Sequence, residues 1–298
     1  MNCPQCDCYC APDAESCACG YRFPSAAQAP PSPYAKQQQA VLRLLAGVVP
    51  STWTLRTGNK SWIFRIGMIS CLALWGLALF FADRLPPQSE IFPQLYLEPL
   101  QTDADLPAAF QVTREKMVYI VTPLFRYELS GLVVSRHRSD SLMDISHRRW
   151  RDFLNIEDLC VVWGKNIQSG VYREMKFWNR DFTCNCSFPD EETAARFSPS
   201  HLSNNHILCA DENMGRRIRR VRPGDQVFFK GYLVTYSQPA NQFFRGTSTV
   251  RDDTGDGACE TVFVTEFKVL QRANPVWRAV KPVAFLGAAA FLVALLLA

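Results

Sequence analysis

Two stretches of this chain carry no charged side chain, and they restrict its fold more than any other feature. Residues 66–82 (IGMISCLALWGLALFFA) lie between Arg65 and Asp83, and residues 282–298 (PVAFLGAAAFLVALLLA) follow Lys281. Each block is 17 residues long, and apolar flanking residues bring both close to the roughly 20 needed to cross a bilayer as a helix. Trp62 and Trp277 stand where interfacial aromatics sit, while Arg65 and Lys281 can extend their charges to the headgroups. The alternative is a pair of buried core helices. A signal peptide does not fit the first block, which follows a cysteine-rich segment and precedes nothing like A-x-A. The expectation is a membrane protein with transmembrane helices at 62–82 and 277–298, and with the lipid bilayer as its first partner.

Between the spans, residues 84–275 have the length of an ordinary domain. They read as β-rich, of an α+β kind. Residues 117–122 (MVYIVT), 127–135 (YELSGLVVS) and 158–163 (DLCVVW) are dense in β-branched and aromatic side chains, the composition of strands. Residues 171–182 suit one or two strands. Residues 226–236 (QVFFKGYLVTY) follow a turn, RPGD, and residues 260–270 (ETVFVTEFKVL) alternate well. Helical signals cover only 190–197 and 211–221. A G-D turn followed by an apolar strand broken at Gly231 suits a strand that coils around a small barrel. The span–β–span plan and GDQVFFKGYLV together resemble the OB-like β domains held between two membrane helices in membrane-anchored RING ubiquitin ligases and their bacterial relatives. No RING follows here, so ligase activity is not implied.

Half of the twelve cysteines fall between positions 3 and 19, in NCPQCDCYCAPDAESCACGYRF. Cys3-Pro-Gln-Cys6 and Cys17-Ala-Cys19-Gly20 make two tight pairs, and a tetrahedral zinc site needs four soft ligands from two such turns. Gly20 is free to take a positive φ there. The segment resembles the small N-terminal zinc ribbons of bacterial membrane proteins, which end C-x-C-G and an aromatic. That resemblance covers residues 2–23 and implies zinc on Cys3, Cys6, Cys17 and Cys19. Cys8 and Cys10 depart from the pattern, and either could replace Cys6. Four protein ligands leave no open position, so such a module (1–23) folds a terminus or holds a protein partner.

Residues 24–61 form a linker rich in Pro, Ala, Ser and Gln, with no core of its own. Lys36, Arg43, Arg56, Lys60 and Arg65 are basic, and no acidic residue lies among them. Reduced zinc thiolates and the positive-inside rule both place the N-terminus in the cytoplasm and residues 84–275 outside it, in a cell membrane. Arg272, Arg278 and Lys281 oppose this arrangement, but long domains translocate largely regardless of charge.

The domain offers several candidates for chemistry. RDDTGDGACE (251–260) groups Asp252, Asp253, Asp256 and Glu260, yet its spacing fails the calcium-loop pattern and suits a hairpin turn. Cys184-Asn185-Cys186 and His206-x-x-Cys209 could build a second zinc site. In an oxidising compartment Cys184 and Cys186 would rather seek Cys209 or Cys259, and buried thiols are the third option. Cys160 reads as core. His206 with Cys209 or Ser203, oriented by Asp211, is a conceivable catalytic set. No G-x-S-x-G, H-E-x-x-H, Walker or dinucleotide glycine motif accompanies it. The basic runs GRRIRRVR and HRRWR stand in a chain of net charge +4, which gives no reason to expect nucleic acid. The architecture therefore points to a non-catalytic scaffold or sensor. It would couple a partner at the zinc ribbon to one met by the outer domain. The alternative is a membrane-tethered hydrolase with its site near His206 and Asp252.

Overall fold

The structure is a computed structural model. It describes residues 61–297 except 142, 143, 252, 254 and 256, and, ahead of these, only 5, 16, 18–20 and 22. Ser16 and Arg22 form an antiparallel bridge around a turn at 18–20, where Gly20 takes φ +90° and Cys19 is exposed. The positive φ is the one expected of that glycine. Cys3, Cys6, Cys8, Cys10 and Cys17 lie outside the described residues, as does the linker.

In chain order, α1 (Ser61–Phe81) leads through two 3-10 turns into β1 (Leu100–Thr102), β2 (Phe110–Arg114) and β3 (Met117–His137). Then come α2 (Ile145–Trp150), β4 (Asn155–Val162), α3 (Gly164–Ser169), β5 (Lys176–Arg180) and β6 (Thr183–Ser187). The chain continues through α4 (Glu191–Arg196), β7 (Leu202–Leu208), α5 (Glu212–Ile218), β8 (Gln226–Gln238) and β9 (Phe243–Arg245). It ends with β10 (Glu260–Gln271) and α6 (Pro275–Leu297). Three short helices start at an aspartate whose carboxylate accepts a backbone N–H: Asp144 from His147, Asp190 from Thr193 and Asp211 from Met214.

Five strands close a ring. β3 pairs with β4, β4 with β7, β7 with β10, β10 with β8, and β8 returns to β3. The β7–β10 pair is parallel and the other four are antiparallel. Closure depends on the length of β3. It pairs with β8 from Ile120 to Leu132 and then with β4 from Leu132 to His137. The sequence suggests two strands here, but Pro123 falls at a register shift against β8 and interrupts the ladder without ending the strand. Tyr127, Leu129, Val161, Ile207, Phe229 and Val264 fill the ring, and Ile218 of α5 packs with them. Gly231 is where backbones come closest: a Cβ there would lie 2.0 Å from the Phe263 carbonyl oxygen, next to a bulge in β10. This is the bend expected of it.

Both ends of the domain meet long apolar helices, α1 of 21 residues and α6 of 23, each long enough to cross a membrane. Only 6% and 17% of their apolar windows are buried, so neither is a core helix. They pack against each other. Phe81 stacks on Trp277 at 5.0 Å, Trp75 meets Phe285 at 5.8 Å, and Gly67 abuts Phe291. From Phe81 back to Gly67 the contacts run forward from Trp277 to Phe291, so the pair is antiparallel. Gly287 sits against Cys71, the close contact expected of it, whereas Gly76 has nothing near it.

The helices join the ring at the RPGD turn. Asp225 is fully buried, and its Oδ1 accepts from Ala273 N at 2.9 Å and Arg278 Nη1 at 2.5 Å. Arg278 also donates to the carbonyls of Ala82 (3.0 Å) and Pro223 (2.7 Å), and Asn274 Nδ2 donates to that of Arg84 at 2.8 Å. Gly224 takes φ +89°, and a Cβ there would press on Ala273 and Arg84. Only residues 272–274 separate β10 from α6.

Candidate functional site

On the outer wall of the ring, one row of cross-strand partners holds two histidines and an aspartate side by side. His137 on β3 pairs with Asp158 on β4, Asp158 with His206 on β7, and His206 with Thr261 on β10. Strand alternation turns Ile207 and Cys209 inward and leaves Asp158 and His206 outside. They are nevertheless buried, at 0% and 3% exposure. Phe182, in the turn between β5 and β6, takes φ +64° and lays its ring 4.5 Å from His147 and 6.1 Å from His206. The Arg245 guanidinium lies 4.0 Å above the same ring.

The row continues as a chain of hydrogen bonds. Asp144 Oδ2 accepts from His137 Nε2 at 2.7 Å and from His147 Nδ1 at 2.5 Å. Asn155 Nδ2 donates to His147 Nε2 at 3.0 Å and to Asp158 Oδ1 at 2.9 Å. The His147 proton therefore sits on Nδ1. Asp158 Oδ1 also accepts from His206 Nδ1 at 2.7 Å. Burial works against the charge on Asp158, but the His206 charge and hydrogen bond outweigh it and bring its carboxyl down to about 2. Burial likewise opposes the His206 charge, yet Asp158 and the Cys259 side chain raise it to about 9. The two form a buried carboxylate–imidazolium pair at neutral pH. Asp144 is also held below the usual carboxylate range, burial being outweighed by the bonds from His137 and His147.

His206 faces a cleft of about 440 Å³ whose lining includes Cys259, Phe182, Thr183, Arg245 and Thr247. Cys259 lines the same cleft as His206, and its sulfur accepts from Asn204 Nδ2 at 3.6 Å. Cys259 Sγ is also 3.5 Å from the Phe182 carbonyl, to which the thiol can donate.

The catalytic set conceived around His206 does not assemble. Cys209 packs inside the ring and donates to the Asp211 carbonyl at 3.3 Å, while Asp211 caps α5. Ser203 accepts from Asn205 at 2.7 Å. Glu260 is buried and pairs with Arg251, and burial raises its carboxyl to about 7 against the pull of that arginine. Asp253 accepts from Ser248, and Asp252 and Asp256 lie outside the described residues. The partners His206 does have, Asp158 and Cys259, escape a motif search because they come from β4 and the loop before β10. Asp158 carried a usable signal: a charge at the head of a buried apolar strand needs a partner.

The cysteines also sort differently. Cys160 and Cys184 form a disulfide with Cα atoms 5.7 Å apart, tying β4 to the β5–β6 hairpin. Cys160 is in the core, as expected, but it faces out of the ring toward the hairpin, whereas Cys209 faces inward, out of reach of Cys184. Cys186, Cys209 and Cys259 are free thiols, and the second zinc site read from Cys184, Cys186, His206 and Cys209 is not formed. Burial pushes the Cys186 and Cys209 thiols up. Among the described residues, His137, Asp144 and His147 are the group able to hold a metal ion, with Asp181 3.8 Å from His137. Their N–O separations of 2.5 and 2.7 Å are those of direct hydrogen bonds. A zinc ion about 2.0–2.2 Å from each atom requires them to move apart. The basic runs make pairs within the domain, Arg219 with Asp140 at 3.3 Å and Arg216 with Glu212 at 3.9 Å.

These features define a β domain carried between two apolar helices, with a buried histidine–aspartate row on its outer wall. No family model, curated protein or solved structure matches the chain.

Proposed function

We propose that this chain is a two-span membrane protein that works as a sensor or scaffold. Its N-terminus is cytoplasmic, with zinc on Cys3, Cys6, Cys17 and Cys19, and its ring is an OB-like barrel displayed on the extracytoplasmic side. Closed order β3–β4–β7–β10–β8 with one parallel pair, and α5 between the third and fourth ring strands, support the OB-like reading. The Cys160–Cys184 disulfide supports an oxidising compartment for the domain. A protein partner binds at the ribbon or at the outer domain.

The observation that carries a sensing role is the joint at Asp225. Arg278 of α6 is bonded to the turn that opens β8 and to the last turn of α1. A rearrangement of the barrel is therefore felt by both helices at once. Cysteine labelling in intact, sided membranes tests the topology. Cys186 and Cys259 react from the outer face only, and labelling from the cytoplasmic face refutes the arrangement. Metal analysis of the purified full chain gives one zinc per chain, lost in C17S. A chain without zinc removes the ribbon from this reading.

A further inference from the structure

Three groups from distant segments are brought together at the outer wall: His206 from β7 and Cys259 from the loop before β10 line the cleft, and Asp158 from β4, fully buried, bonds His206 from behind. We propose that Cys259 is a nucleophile, with His206 as its proton carrier and Asp158 as a positioning residue, acting on small activated esters or thioesters whose acyl part is anionic.

Geometry supports each role. Asp158 Oδ1, 2.7 Å from His206 Nδ1, fixes the ring and leaves Nε2 as the nitrogen available to Cys259, which lines the same cleft. Asn155 Nδ2 holds Asp158 from the other side at 2.9 Å, so the carboxylate cannot swing away. Asn204 Nδ2 supplies a second N–H to the sulfur at 3.6 Å. An ion pair present only to hold strands together would need neither a thiol against its imidazole nor an opening to solvent. The cleft has room for a ligand: a Cβ added at Gly246, Gly255 or Gly257 would meet nothing within 4 Å. Arg245, held above the Phe182 ring, places a positive charge on the cleft wall and accounts for the choice of an anionic acyl group.

The chemistry needs only water. The sulfur of Cys259, its proton on His206 Nε2, attacks the acyl carbon. The bond from that carbon to the leaving oxygen or sulfur breaks, and the Nε2 proton passes to the leaving group. Water then adds to the acyl carbon, giving one proton back to Nε2. The carbon–sulfur bond breaks, and the free acid departs.

The full chain in detergent is treated with iodoacetate and, separately, iodoacetamide, and alkylation of each cysteine is followed by peptide mass spectrometry. Cys186 of the same molecule is the comparator. Cys259 is expected to react at least about tenfold faster than Cys186, and H206Q to lose about tenfold or more of that rate. D158N moves the pH dependence of the Cys259 rate, which a purely structural aspartate does not do. R245Q abolishes the preference for iodoacetate over iodoacetamide. With mono-4-nitrophenyl succinate, whose acyl part is anionic, the chain releases a burst of one nitrophenolate per chain that C259S lacks. Cys259 reacting no faster than Cys186 overturns the proposal, independently of whether any variant folds. So does an H206Q rate equal to wild type, or an undiminished burst in C259S.

Discussion

Arg278 and Asp225 meet at 2.5 Å across the junction between helix and ring, with the aspartate fully buried and the arginine side chain 16% exposed. Removing one partner of a buried pair leaves the other charge uncompensated, at a cost of about 3–5 kcal/mol. R278M should therefore lower the thermal midpoint of the detergent-solubilised chain by many degrees. R278M combined with D225N should be milder than R278M alone, because no buried charge is left short of its partner; Arg272, 4.0 Å from Asp225, is half-exposed and solvated. Thermal unfolding of the three proteins decides this. Equal midpoints for R278M and wild type would show that the joint contributes nothing.

The Asp158–His206 pair predicts an alkaline loss of stability. His206 moves from an ordinary 6.5 to about 9 in the fold. Its contribution is complete below 6.5 and disappears as pH rises through 9. Asp158 moves from 3.8 to about 2, so its contribution is complete above 3.8 and disappears as pH falls through 2. The pair thus supports the fold most fully between about pH 4 and 6.5. Wild type should lose stability between pH 6.5 and 9 more steeply than H206Q. Parallel pH curves for the two would sink the assignment.

In the helix pair, a Cβ at Gly287 would stand 3.8 Å from Cys71 Cβ and 2.9 Å from its sulfur. Disulfides have Cβ atoms about 3.8 Å apart on average. G287C should form an intrachain disulfide with Cys71 under mild oxidation, seen by mass spectrometry after proteolysis. G76C, with nothing within 4 Å, should not cross-link to α6. Cross-linking at both positions or at neither contradicts the antiparallel register.

The Cys160–Cys184 bond closes a loop with a sequence separation of 24. Loss of a bridge of that span costs about 3 kcal/mol in the chain-entropy account. C160A/C184A should melt earlier than wild type, and non-reducing peptide mapping of the wild type should recover the pair. Recovery of Cys184 with Cys259 instead would mean that the hairpin docks differently.

Some of this was legible in the sequence, and the reasons differ by element. The helices were plain because lipid-length apolar blocks have few other uses. β8 and β10 were plain because alternation and β-branched composition agreed over many residues. β7 was not, because Ser203, Asn204, Asn205 and His206 are poor strand formers and their pairing is decided by neighbours on both sides. α2 and α3, of six residues each, are too short for a helical period to show. His206 was noticed for its spacing to Cys209, but that spacing puts the two side chains on opposite faces of the strand line. Its actual partners lie 48 residues before it in the chain and on the loop ahead of β10. No local pattern holds that information, since the row exists only once four strands are in register.

The link between β10 and α6 is only residues 272–274, and the other end of the domain is bonded to the same place through the carbonyls of Ala82 and Arg84. Three residues reach at most about 10 Å even when fully extended. In the two-span arrangement proposed above, so short a tether would give the domain a fixed height and heading over the bilayer. A partner would then have to reach it at that level, and position relative to the membrane would itself take part in selecting that partner.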